Sequence, residues 1–480
     1  MKVLNIKFHT FSKYNNLRMG SYYELPKIQM PYCPLSKVIL PCESGSRPAG
    51  GIKEEYEGQA ISLGGEQIGS DGDLDVKKLP YVPFEYFSAA TCGKVADGDI
   101  LICKDGSLTG KVCIVDKTLL PHEKVMVNEH VYVIRSNDKV NQMILFFLMR
   151  MDSFKKQVID LAYRKKGQPG LNSDHLKSIL IPNLSQEIQD VLLKKITPLL
   201  EEIKILKGQI KNNVLIIDSV FAKLYDFNLT ETYHLGKGMS YGTQRLQTKK
   251  LLIFNKKFSE FYSKLLRFSV RACNPIVRIL QNTLFKLNVI KVKTILTTPA
   301  FNGESPIYKD DGTIPVIKTA HLNIDGLITD GLEFVSEAQY NNSLSAKLIC
   351  GDVLICNIGK GSLGKTTINN TNNKLFAASE VTILRVDKQK YNNQFLQYFL
   401  TSILGVFQFE QAYTGATNQI HLDPKALEEF YIPDITLDEQ QKIVDAIQLE
   451  IDKQNEIKNQ IAILRGKIDS IIENAIISND

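Results

Sequence analysis

The stretch GKGSLGKTT, residues 359–367, meets the phosphate-loop pattern G-x-x-x-x-G-K-[ST], with Gly359, Gly364, Lys365 and Thr366 in the required positions. In that chemistry backbone amides and the lysine cradle a nucleotide's phosphates, and the hydroxyl holds Mg2+. A working loop of this kind follows a strand and opens a helix. The strand is present as DVLICNI. The stretch after it, TINNTNNKLFAASEVTILRV, reads instead as strand, turn, strand, because asparagines and alternating β-branched residues stand where a helix is needed. No Walker B strand in a βαβ setting accompanies the loop. No G-x-S-x-G elbow, H-E-x-x-H pair or Asn-Pro-Pro-Tyr run occurs either. The chain is expected to be no enzyme by itself, with a P-loop NTPase as the alternative.

The elements that position this loop belong to a chain of 480 residues, long enough for two to four domains. Its 44% hydrophobic and 23% charged content is that of a globular protein. The 58 basic and 52 acidic residues leave +6, which permits a polyanionic partner without demanding one. Basic charge concentrates between Arg245 and Lys293, where twelve Lys or Arg face the single acid Glu260. Such a run is either a solvated helix face or a surface for an anion. Eight cysteines form no C-x-x-C pair and the seven histidines are scattered, so no zinc spacing appears. This usage fits a reducing cytoplasm. MKVLNIKFHTFSKYNN has no apolar signal core, and no run of about eighteen apolar residues could span a bilayer.

The dominant feature is an internal repeat. AISLGGEQIGSDG (60–72) matches IPVIKTAHLNIDG (314–326), with Gly72 on Gly326 at an offset of 254. GDILICKDGSLTGK (98–111) matches GDVLICNIGKGSLGK (351–365) at 253 from Gly98 to Gly351. LNSDHLKSILIP (171–182) matches LDPKALEEFYIP (422–433), and SQEIQDVLLKKI (185–196) matches TLDEQQKIVDAI (436–447), both at 251. The first copy of the phosphate-loop stretch is KDGSLTGKVCIV, one residue shorter and with Val112 in the hydroxyl position, which again reads as a turn between strands.

Each copy has a globular part of short apolar runs punctuated by Gly, Pro, Asn and Asp, followed by a long helix. Met143–Leu161 and Phe395–Phe409 read as helices within the globular parts. In the first long helix Ile188, Leu192, Ile196, Leu199, Ile203, Leu206, Ile210, Val214, Ile217, Phe221 and Leu224 recur at steps of three and four; Pro198 is expected to break or kink it. In the second, Ile443, Ile447, Glu450, Gln454, Ile457, Ile461, Leu464, Ile468 and Ile471 do the same, and Thr436 with Glu439 makes a capping box. A narrow seam wants a partner helix, and each copy supplies one. About 38 residues at 1.5 Å rise make a rod of roughly 57 Å. The expected fold is α+β: globular parts at 1–184 and 247–435 with irregular β-rich sheets, helices at 185–225 and 436–477 forming an antiparallel coiled coil, a linker at 226–246, and an internal pseudo-twofold repeat.

With ESGSRPAGG (43–51), the two G-D-[IV]-L-I segments and the closing GQPGLNSDHLKSILIP and NQIHLDPKALEEFYIP, each leading into a helix, the ordered set resembles the specificity subunit of type I restriction–modification systems. The resemblance implies two target-recognition domains that each read one half of a bipartite, asymmetric target in double-stranded DNA. It also implies spacer helices that set the gap, two methyltransferase (modification) subunits docked on them, and restriction/translocase subunits joined to those. S-adenosylmethionine, ATP and Mg would then sit on the partners, with none bound by this chain. A coiled-coil adaptor without sequence readout is the competing reading.

Lysine and arginine meet phosphates, while Gln, Asn, Arg and Ser meet base edges. The turns that the repeat places on one face supply the candidates. In the first copy they are Ser46, Arg47, Lys104, Lys111 and the run Tyr163, Arg164, Lys165, Lys166 and Gln168. In the second they are Lys318, His321, Asn357, Lys360, Lys365, Tyr413, Asn418 and Gln419.

Overall fold

The computed structural model describes residues 25–28, 30–52, 56–76, 78–162, 169–230, 232, 275–359, 361–416 and 419–476. It falls into two units, residues 1–208 with 459–480, and residues 209–458. Most of the basic run from Arg245, the stretch Tyr163–Gln168, Lys360 and Asn418 lie outside the described residues.

The first unit carries β1 (Tyr32–Pro34), β2 (Glu43–Ser44), β3 (Ala60–Leu63), β4 (Tyr81–Val82), α1 (Phe84–Ala89), β5 (Ile100–Cys103), β6 (Val112–Ile114), β7 (Val125–Val127) and β8 (Val131–Ile134). Then follow α2 (Gln142–Arg150), α3 (Asp152–Ala162), α4 (Ser173–Ser178), β9 (Leu180–Pro182) and α5 (Gln186–Gln209). The strands form an antiparallel sheet in the order β2-β8-β5-β6 and a smaller one in the order β4-β3-β7, whose β3–β7 pair is parallel. β1 and β9 close the globular part as an antiparallel pair, Tyr32 opposite Pro182. Ile100, Leu101 and Ile102 of β5 are wholly buried, so a run of consecutive apolar residues, not an alternation, marks this strand. Each such side chain contributes about 1.5–3 kcal/mol of burial.

The second unit carries α6 (Asn213–Leu224), α7 (Pro275–Phe285), β10 (Val289–Lys291), β11 (Phe301–Asn302), β12 (Ile314–Ile317), β13 (Leu322–Asn323), β14 (Gly326–Leu327), β15 (Glu333–Val335), α8 (Glu337–Asn342), β16 (Val353–Cys356) and β17 (Thr366–Ile368). It continues with β18 (Phe376–Ala377), β19 (Val381–Leu384), α9 (Asn393–Thr401), α10 (Ile403–Ala412), β20 (Thr414–Ala416), β21 (Gln419–His421), α11 (Pro424–Glu428), β22 (Tyr431–Pro433) and α12 (Leu437–Ile476), whose residues from Asn459 on belong to the first unit. The sheets repeat strand for strand: β11-β19-β16-β17, then β15-β12-β18 with β12–β18 parallel, and the closing pair β10–β22. Strands β3 and β12, β5 and β16, and β9 and β22 keep the sequence offsets 254, 253 and 251.

The repeat also conserves its polar joints. Asp99 in the G-D-[IV]-L-I segment is buried; it accepts from Ala96 N–H at 2.8 Å and pairs with Arg135 Nη2 at 2.7 Å. Its counterpart Asp352 accepts from Ile349 N–H at 2.9 Å and from Arg385 Nε at 3.2 Å. Gln189 of α5 accepts from Asn141 N–H at 2.8 Å, and Gln440 of α12 accepts from Asn392 N–H at 2.7 Å, so each long helix holds the N-terminus of a shorter one. Both glutamines are buried. Gln440→Ala leaves the Asn392 amide without that acceptor, and urea unfolding should show a loss of about 1–3 kcal/mol.

The long helices differ in detail from the sequence expectation. Residues 185–225 are not one helix: α5 ends at Gln209 and α6 starts at Asn213, with Asn212 capping Val214 N–H and Lys211 N–H donating to Gln454 Oε1 at 2.7 Å. Asn212 offers its own side chain to the backbone and so ends one helix and starts the next. Pro198, expected to break the pattern, lies inside α5. Met143–Leu161 and Phe395–Phe409 are each two helices, split at Met151 and Ser402. In the first unit the seam of α12 is Ile461, Leu464, Ile468, Ile472 and Ile476, so Ile472 replaces Ile471. Lys195 and Leu199 of α5 line a groove with Ile463 and Gly466 of α12, side by side. In the second unit Ile216, Ile217 and Phe221 of α6 share a core with Phe395, Phe399 and Val444, Ile447 and Ile451 of α12; Ile451 takes the place expected of Glu450. The Phe221 ring meets Phe399 edge-on at 5.7 Å. The Thr436–Glu439 capping box is present, with Thr436 N–H donating to Glu439 at 2.9 Å.

Candidate nucleic-acid interface

The phosphate-loop stretch is a turn between β16 and β17. Its amides are spent inside the fold. Gly359 N–H donates to Ile420 O, Leu363 N–H to Gly359 O, Gly364 N–H to Cys356 O and Lys365 N–H to Ser362 O, all at 2.9–3.1 Å. Thr366 is buried and donates to Gly364 O at 3.0 Å. A phosphate would find neither the amide cradle nor the hydroxyl. Gly364 and its counterpart Gly110 take φ of +81° and +87°, which only glycine adopts without strain. Titration with a fluorescent ATP analogue should therefore be flat, and Lys365→Ala should leave it so.

What the turn does is pack beside another segment. In the first unit Gly106 N–H donates to Pro169 O at 3.1 Å and Leu171 N–H to Lys104 O at 2.6 Å. The Tyr163–Gln168 run thus leads straight into residues bonded to the Lys104–Lys111 turn. In the second unit Leu422 N–H donates to Asn357 O at 2.9 Å, and the β20–β21 hairpin pairs Ala416 with Gln419. The hairpin follows half-buried Tyr413, and Lys365 is half-buried in the turn it abuts. In both units the turn is thus hydrogen-bonded to the residues that follow the second stretch the repeat singled out, Pro169 and Leu171 in the first and Ile420 and Leu422 in the second.

Around the first turn the structure adds residues that sequence reasoning missed. Arg47 Nε pairs with Glu129 at 3.0 Å, and Glu129 also lies 3.4 Å from His130 Nε2. His130 Nδ1 is 2.7 Å from Asp105. Lys104 Nζ donates to Ser44 Oγ at 3.3 Å and sits over the Tyr132 ring at 4.8 Å. Ser46 Oγ shares a hydrogen bond with the Tyr86 hydroxyl. Exposed Ser46 and Arg47 and half-buried Lys104 thus border one surface of mixed charge, and Lys111 lies half-buried at the end of the same turn. Glu129 and His130 lie in NEHVYV, which carries no repeated signature.

Two candidates of the second copy serve the fold instead. Asn357, at the position of Lys104, is buried; its amide donates to Asn302 Oδ1 at 2.9 Å, Ser379 O at 3.1 Å and Thr382 Oγ1 at 3.1 Å. His321 is buried and its Nδ1 accepts from Lys318 N–H at 3.0 Å, as Gln67 accepts from Gly64 N–H at 2.9 Å in the first copy. Burial, then the charge of Lys318, hold the His321 pKa below its ordinary value. Lys318 is ion-paired with Glu333 and lies over the Tyr308 ring at 5.2 Å.

The end of the basic run is neutralised from a distance. Lys291 and Lys293 both hydrogen-bond Glu429, at 2.5 and 2.7 Å, and these two bonds lower the Glu429 pKa to about 2. Among the described residues no group of three His, Cys, Asp or Glu could hold a metal ion, and no helix is long and apolar enough to cross a membrane.

The sequence profile of the type I restriction modification DNA specificity domain matches residues 86–215 and 287–463, one stretch in each copy. No curated protein matches the chain. A solved structure described as the structural basis of complex assembly and conformational transition of the type I R-M system is 16% identical, covers 95% of this chain and 99% of its own, and has a TM-score of 0.43. The type I restriction-modification system S subunit from M. genitalium is 14% identical over 97% of this chain and 99% of its own, with a TM-score of 0.39. The HsdS subunit from Thermoanaerobacter tengcongensis is 16% identical over 94% of this chain and 97% of its own, with a TM-score of 0.33.

Proposed function

The chain belongs to the type I restriction modification DNA specificity domain family, a non-catalytic, sequence-recognising component, and on that footing we propose that it reads a two-part, asymmetric target. One observation carries this: the same two sheets and the same paired loops occur twice, but with different side chains at matched positions. Lys104 stands against Asn357, Glu129 against Ser379 and His130 against Glu380. Two copies of one frame with unlike surfaces suit two unlike half-sites rather than a palindrome.

In this reading Arg47, Lys104, Lys111 and the Tyr163–Gln168 run serve the first half-site. Lys360, Lys365, Tyr413, Asn418 and Gln419 serve the second. The 40-residue α12, about 60 Å at 1.5 Å per residue, acts as spacer. The long helices also dock two modification subunits, to which restriction subunits join. Val191 and Ile205 of α5 and Leu449 and Ile463 of α12 are each more than half exposed, apolar surface that a partner would cover. S-adenosylmethionine, ATP and Mg2+ are bound by those partners.

The test is selection of bound sequences from a random duplex pool, with the chain co-expressed with its modification subunit. A two-part motif with one gap is expected, and exchange of residues 1–184 should change one half only. Salt-sensitive binding with no enriched motif would instead mean a basic adaptor.

A further inference from the structure

The first repeated block ends in an Asp-Gly turn in each copy, Asp71-Gly72 and Asp325-Gly326; Asp71 accepts from Asp73 N–H at 3.3 Å within the turn, and both aspartates also reach a helix outside their own globular part. Asp71 Oδ2 accepts from Arg465 Nη1 of α12 at 2.9 Å. Asp73 accepts from Arg465 Nη2 and from Lys207 Nζ of α5, the latter at 2.7 Å. Arg150 donates to the Asp71 carbonyl. In the second unit Asp325 Oδ1 accepts from Asn213 Nδ2 of α6 at 2.6 Å, and Gln397 Nε2 donates to the neighbouring Ile324 O at 2.8 Å. Arg465 follows the second globular part in the chain and Asn213 follows the first. Each turn therefore grips a helix contributed by the other copy.

Burial works against the Asp71 carboxylate, yet the hydrogen bond and charge of Arg465 outweigh it and hold its pKa below the usual range. Arg465 is about one-quarter exposed, so this is a half-buried, multiply bonded ion cluster rather than a lone surface pair.

Angle matters here. One base pair turns a duplex by about 35°. A reading surface free to swing through that angle about its helix would accept a half-site one base pair nearer or farther. We propose that the Asp71/Asp73–Arg465 cluster and the Asp325–Asn213 bond are positioning contacts that fix each reading surface against its helix and so restrict the target to a single gap. This rests on the two-part reading above.

The experiment repeats the duplex selection on the co-expressed complex and scores half-motifs and gap separately. Arg465→Glu should leave both half-motifs unchanged and raise the share of targets with a gap one base pair off by roughly tenfold, the factor that about 1.4 kcal/mol of lost restraint gives. Arg465→Lys should keep most of the restriction. Should Arg465→Glu fail to fold, Asn213→Ala removes only a neutral donor and should broaden the gap in the same way. An unchanged single gap in a folded variant overturns the proposal while leaving the two-part reading intact. A wild-type chain that enriches no two-part motif overturns both.

Discussion

Gly45→Ala should erase one half of the selected DNA motif and leave the other half untouched. A Cβ at Gly45 would overlap the carbonyl oxygen of Val127, at the end of β7, and at Gly303 a Cβ would overlap the carbonyls of Ala377 and Ala378 beside β18. The obstacle in both units is backbone, not a side chain that could rotate aside. The loop after β2 or β11 would have to lift from the smaller sheet and carry its neighbours with it, Ser46 and Arg47 in the first copy. Forced separation of this kind costs roughly 1–3 kcal/mol or more, against the 5–15 kcal/mol that typically holds a domain together. Calorimetry should show one of two transitions lowered. Gly303→Ala should lower the other transition and erase the other half-motif.

Arg385→Met should destabilise the second unit by roughly 3–5 kcal/mol, the usual result of stripping one partner from a buried pair. Asp352 is 1% exposed, and its carboxylate accepts from the Ile349 amide as well as from Arg385. Burial already pushes the Asp352 carboxyl above its ordinary value, against the pull of that amide and of Arg385. Removing the guanidinium raises it further. A carboxyl with a raised folded value takes up a proton on folding. The deficit should therefore be smallest near pH 4, below the raised wild-type value, and grow as pH climbs through that value toward the variant's higher one. Urea unfolding of the variant at several pH values tests this. The double variant Arg385→Met with Asp352→Asn, which removes the stranded charge, should recover about half of the loss.

The repeat was legible because it preserves what folding needs. G-D-[IV]-L-I contains a buried strand and the aspartate that anchors an arginine, and both recur at an offset of 253. The phosphate-loop resemblance could be rejected from sequence because the strand after it has no helical pattern, and the hydrogen bonds of Gly359–Lys365 give the physical ground. Asn357 and His321 misled because polar residues at a turn look exposed. Whether an amide points to solvent or into a knot of Asn302 and Thr382 depends on strands about 55 and 25 residues away in the chain. The Arg465–Asp71 contact joins residues 394 apart, and nothing local announces it. The break between α5 and α6 was written in Lys211-Asn212-Asn213, but an apolar seam that continued across it concealed the cap.

The first unit is discontinuous. Lys195 and Leu199 of α5 line a groove with Ile463 and Gly466, which belong to the helical segment 459–476 that completes this unit. During synthesis that helix emerges about 250 residues after α5, roughly 12–50 s later at 5–20 residues per second. For that interval Leu199 of the nascent chain lacks these neighbours, while residues 209–458 are all made before the tunnel releases the last helix. The second unit can therefore be finished before the first, reversing the order of translation. A ribosome that stops short of residue 459 leaves the first unit without the segment that completes it, a natural target for chaperones and proteases.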